Sequence, residues 1–302
     1  MMRRYSTISI GVAALLAGSS LAQASDRHVD QQLPADPHGV VEISNVSGTV
    51  EVTGWDQSQV SINGDIPSDA DNLDVKSERG HISITVRFPS MNFSFGGHGA
   101  DLHIKVPRAS EVDVTTVSAD IASTGVTGQQ RLKTVSGSVK GDFSQSDVEA
   151  KTVSGSVALR GDGKPTGLHL ATISGTIRLE HAAGDVEAST TSGGINLTLD
   201  SARSVRMRTV SGGIGFRGKL TKDADFDTQT VSGDVRVHAD SENGFEYDAT
   251  TFSGDIEDCF NVKAEKTSRY APGERLSGSL GNGSAHVRLK TMSGDIELCD
   301  KQ

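Results

Sequence analysis

Residues 134–139 read Thr-Val-Ser-Gly-Ser-Val, and residues 152–157 read the same six letters again. The phrase Thr-x-Ser-Gly-x-[Ile/Val] returns at Thr172–Ile177, Thr190–Ile195, Thr209–Ile214, Thr230–Val235, Thr251–Ile256 and Thr291–Ile296. Ala replaces Gly in Thr116–Ile121, and Asn45 replaces Thr in Asn45–Val50. From Ser118 onward the Ser-to-Ser spacings are 18, 18, 20, 18, 19, 21, 21 and 40 residues. Helical repeats and propeller blades need roughly 33 residues or more. The shorter unit here holds two short strands and two turns, which is one rung of a parallel β-solenoid (β-helix). The final gap of 40 residues hides either a degenerate rung or an insertion.

Side-chain parity gives the shape of a rung. With the repeat Ser as zero, position +3 is always Ile or Val, from Ile121 to Ile296, and +5 is often apolar, as in Leu159, Leu179 and Phe216. Before the Ser, the apolar positions are −6 and −4, as in Val148 and Ala150 or Val205 and Met207. Inward positions are therefore even before the Ser and odd after it. A strand has period two and cannot change parity, so x-Ser-Gly must be a corner. Gly at +1 suits a sharp bend with positive φ. Thr at −2 shares the inward parity and is expected to form a column whose hydroxyls hydrogen-bond from rung to rung. The Ser column is expected to do the same or to cap corner amides.

The rest of the chain is organised around this array. Arg3 and Arg4, an apolar run from Ile8 and small residues up to Ala24 read as a secretory signal peptide over residues 1–24. Residues 25–38 read as a flexible N-terminus and residues 39–107 as an N-terminal β section or cap. Residues 108–302 are the repeat solenoid, with an excursion at about 259–280. The expected location is exported, either periplasmic or at the surface of a Gram-negative bacterium. No transmembrane span is expected in the mature chain. The net charge of −10 argues against a nucleic-acid partner. Aromatic residues are 4% of the chain while Gly numbers 34, which suits stacked strands and tight turns.

Few residues point to chemistry. Cys259 and Cys299 both lie six residues after a repeat Ser, so they occupy one repeat position. In an exported chain they are expected to form a disulfide, provided no full rung separates them. Asp occupies +2 at Asp120, Asp234, Asp255 and Asp295. Asp234 and Asp255 are expected to be neighbours, with Asp295 next, and the three are weak candidates for a metal site such as Ca²⁺. A solvated turn is the competing reading, because +2 has outward parity. Lys133, Lys151, Arg208 and Lys290 at −3 form a basic outward column. The nine His are scattered, and no Gly-x-Ser-x-Gly elbow or phosphate loop occurs. No catalytic residue and no cofactor are expected.

Val41-Glu42-Ile43-Ser44-Asn45-Val46-Ser47-Gly48, then Gly54-Trp55-Asp56, Val106-Pro107 and the serial Thr-Val-Ser-Gly rungs, carry a resemblance. Over about residues 39–299 the chain resembles the bacterial putative-adhesin family of unknown function, which includes head-domain adhesins of Bacteroidetes. The resemblance implies a β-solenoid in the cell envelope and supplies no catalytic residues. Three functions stand on this reading. The first is a non-enzymatic interaction module, binding an envelope or surface protein or a glycan. The second is a periplasmic scaffold or stress-sensing component acting through a protein partner. The third, a polysaccharide-active β-helix enzyme, is remote.

Overall fold

The computed structural model describes residues 26–68, 70–88, 99–240, 242, 244–267 and 272–300. The signal peptide and most of the Gly-rich stretch at 93–99 lie outside the described residues, as do residues 268–271 of the excursion. The described chain is all-β, with 22 strands in one hydrogen-bonded network.

Two parallel ladders run through a solenoid-like stack. The residues before each Ser pair with their counterparts in the next rung, as Gln130–Lys133 does with Val148–Lys151, and that strand with Pro165–Ala171. The residues after each Ser form the second ladder, as Val139–Asp142 does with Val157–Arg160. Further on, single long strands serve both. Ile177–Ser189 joins the second ladder through residues 177–180 and the first through residues 183–189. Its bend carries register shifts around Ala182, next to His181 at φ 52°.

The core lies between the ladders. Val148, Ala150, Thr152, Val157 and Leu159 of one rung are all buried, while Val153 and Ser154 between them are exposed. This parity break is the corner. Its Gly has a different reason from the bend read in the sequence. At Gly137, Gly155, Gly175 and Gly193 φ is not in the left-handed region. A Cβ on Gly155 would lie 1.8 Å from the carbonyl oxygen of Gly137 in the rung before. Close approach of stacked corners excludes a side chain there, and positive φ is confined to copies such as Gly233 and Gly294.

The Thr column is buried, but its hydroxyls do not bond to one another. From Thr134 onward each donates to the corner carbonyl of the neighbouring rung, as Thr152 Oγ1 does to Gly137 O at 2.9 Å and Thr172 to Gly155 O at 2.9 Å, while Thr116 donates to Ala119 O of its own corner at 3.0 Å. A hydroxyl spaced by one rung reaches a backbone carbonyl more closely than another side chain. The Ser backbone continues the ladder, its N–H donating to the carbonyl of residue −1 in the rung before, as Ser154 does to Val135 at 2.8 Å.

The two ends depart from chain order. Ile214–Gln229 pairs with Ala285–Ser293, and Val235–Asp240 pairs with Ile296–Cys299. Only then come Gly244–Ser253 and Ile256–Asp258, on the far side. The rung of Ser293 thus sits inside the rung of Ser253. Within the excursion, Glu274–Gly281 runs antiparallel along Gly244–Ser253 and covers its outer edge. At the other end, residues 40–53 stack on the array. Val40–Trp55 pairs in register with Glu111–Thr124, Ser47 opposite Ser118. Its other side takes His81–Arg87 and Ala100–Pro107 in parallel. Antiparallel strands Asn72–Glu78 and Gln59–Ile66 then lie against these two.

Candidate interaction face

The residue between Thr and Ser, at −1, has outward parity and is apolar in nearly every copy. In stacking order the column reads Val46, Val117, Val135, Val153, Ile173, Thr191, Val210, Val231, Met292 and Phe252. Val117 is 48% exposed, Ile173 50%, and Phe252 and Met292 58% each. At about 4.8 Å per rung this apolar ridge runs for roughly 40 Å. A contiguous exposed apolar strip of this kind marks an interaction surface more often than a bare solvent face. The serial pattern contained the signal, since x was apolar in copy after copy. A sequence reading that treats x as variable passes over it.

Beside the ridge runs the Ser column. Ser136, Ser154, Ser174, Ser192, Ser211 and Ser232 are exposed, and among the described residues their hydroxyls have no hydrogen-bond partner. They neither link rungs nor cap corner amides, and stand available to a ligand. On the other side, two residues earlier, lies the basic column. Glu149 ties up two of its members, Lys151 at 2.5 Å and Lys133 at 3.5 Å. The Lys151 ammonium beside it holds the Glu149 carboxyl below the usual range. Arg208 and Lys290 have no carboxylate within ion-pair distance among the described residues.

The Asp column is ordered Asp234, Asp295, Asp255, and the expected adjacency of Asp234 with Asp255 does not occur. The insertion of the Ser293 rung separates them. Asp234 and Asp295 each accept the amide at the same position one rung on. Asp295 N–H donates to Asp234 Oδ1 at 3.2 Å, and Asp255 N–H to Asp295 Oδ1 at 3.0 Å. Arg236 also pairs with Asp234 at 3.0 Å. These carboxylates act as caps for corner amides. Among the described residues no group of three or more His, Cys, Asp or Glu is arranged to hold a metal ion.

Cys259 and Cys299 are bonded, with Cα atoms 4.9 Å apart. They join the outermost rung to the rung inserted beneath it. Among the described residues, seven His face a carboxylate of an adjacent strand, as His103 does Glu51 at 2.9 Å and His286 does Glu246 at 3.2 Å. None of the described His side chains hydrogen-bonds a Ser. No helix among the described residues is long and apolar enough to cross a membrane.

An in-register stack of short rungs with an outward apolar ridge defines an all-β repeat protein. The family model described as Toastrack DUF4097 matches residues 15–185 and again 166–299, and the chain belongs to that family. No curated protein matches it. Among solved structures it is similar to a "putative adhesin" from Bacteroides fragilis, at 10% identity and a TM-score of 0.35, covering 91% of this chain and 98% of that one. It is also similar to a "putative cell adhesion protein" from Clostridium sporogenes, at 9% identity and a TM-score of 0.27, covering 90% and 99%. Superpositions this loose carry no functional argument.

Proposed function

We propose that the protein is a non-enzymatic interaction rod of the cell envelope. In this reading it is exported by the leader at residues 1–24 and works as a β-solenoid with two short strands per rung and β caps. It binds a protein partner along the ridge. The observation that carries the reading is the −1 column, aliphatic from Val117 to Ile173 and exposed throughout. Nothing in the packing of a rung requires an apolar residue there, because the side chain points away from the core. The free Ser hydroxyls beside it supply the hydrogen bonds that an apolar strip alone lacks. The rod is adhesin-like in presenting one long face, and each rung contacts only its neighbours, which keeps that face stiff.

A photo-crosslinking residue at Val153 or Ile173 tests this in the native cell. Adducts of defined mass at these positions, and none at the outward-facing control Arg178, are the expected result. No adduct at any ridge position would sink the reading. Protease shaving of intact cells then places the rod. Cleavage with a periplasmic marker intact means display on the surface. Protection until the outer membrane is opened means a periplasmic scaffold.

A further inference from the structure

Where the ridge passes the outermost rungs it becomes part of a groove of about 920 Å³. Val231, Met292 and Phe252 line it from the ridge, and Arg208 and Lys290 from the basic column. The excursion adds Arg275, which is already held by Asp248 through two hydrogen bonds of 3.1 and 2.8 Å. Arg208 and Lys290 are exposed and have no carboxylate partner among the described residues. In a chain of net charge −10, this is a local reversal of sign beside an apolar wall.

The spacing of the two cations restricts the ligand. Arg208 pairs with Gln229, and Gln229 with Lys290, so the cations stand two rungs apart, about 10 Å. An extended polyproline-like chain repeats its side chains every three residues, at about 9.3 Å. We propose, building on the interaction-rod reading, that this groove binds an extended anionic peptide segment of a partner protein. Its carboxylates are three residues apart and meet Arg208 and Lys290. Aliphatic residues between them lie against Val231, Met292 and Phe252. An anionic glycan matches the charge and finds polar partners in Gln229 and Thr250, but its hydroxyls lose water against Val231, Met292 and Phe252, which aliphatic side chains of a peptide cover without that cost.

Fluorescence anisotropy with the purified protein tests this. The probe is a labelled peptide of about twelve residues with Glu at every third position and Val or Pro elsewhere. Saturable binding that weakens with salt is expected. Replacing Glu by Lys, or Val by Ser, should weaken it by about tenfold or more. The R208E/K290E variant should lose about tenfold, and R208Q/K290Q less, with the melting temperature unchanged in both. No binding, equal binding of the Ser peptide, or indifference to R208E/K290E would overturn the proposal. So would binding of alginate, lost in R208E/K290E, where the peptide fails to bind. Crosslinks at Val153 with no peptide bound at the groove would remove this proposal alone and leave the rod reading standing.

Discussion

At the scale of the residue, the corner is held by one small side chain and one hydroxyl. Gly155→Ala drives a methyl into the carbonyl oxygen of Gly137, 1.8 Å away. Overpacking of this sort costs about 1–3 kcal/mol, read as a lower urea midpoint. Gly213→Ala is the control, since the nearest atom its Cβ meets is 3.6 Å away, and its midpoint should hardly move. Thr152→Val keeps the shape but leaves the Gly137 carbonyl without its donor, at a cost of about 1 kcal/mol. Acid stability has one local contributor. The Ser144 hydroxyl, then Lys164, hold the Asp162 carboxyl down to about 2. A depressed folded value stabilises above the usual carboxylate range, and that contribution is lost as pH falls towards about 2. Asp162 is exposed, so screening limits the effect to about 0.5 kcal/mol. Asp162→Asn should flatten the acid limb of a urea-midpoint profile by that much.

At the scale of the element, the parallel pairing that ties the rung of Ser253 to the stack runs, among the described residues, through the rung of Ser293. Gly244–Ser253 pairs with Ala285–Ser293 on one side and with Glu274–Gly281 on the other. A chain stopped after Gly281 leaves residues 244–281 as little more than a hairpin, which is marginal in water. Hydrogen exchange should show amides 244–258 unprotected in that variant while those of residues 130–200 stay protected. The disulfide reinforces the same junction. It closes a loop with a sequence separation of 40, worth about 4 kcal/mol in the chain-entropy account. Cys259→Ser with Cys299→Ser should lower stability by up to that amount, and loosen the outermost rung first.

At the scale of the whole molecule, what the sequence disclosed follows from repetition. Burial at −4, −2 and +3 could be read directly, because stacked copies give many samples of one environment. The pairing of Cys259 with Cys299 was legible for the same reason, as two residues in one repeat position. Stacking order was not legible. Thr251–Ile256 and Thr291–Ile296 differ too little in sequence to say which lies outside, and the antiparallel cover of Glu274–Gly281 decides it. The ridge is written in the sequence too, at the outward −1 position, which the alternation of core residues does not mark. The capping role of Asp234 and Asp295 was hidden by the same inversion, since their amide partners depend on the order of rungs. That order has a consequence in time. The chain emerges N-terminus first into the compartment where it folds, so residues 244–258 arrive before residues 285–299. During that interval the rung already made has no seat, because the strand that must lie beneath it does not yet exist. A holdase chaperone of that compartment would meet the emerging chain in that window.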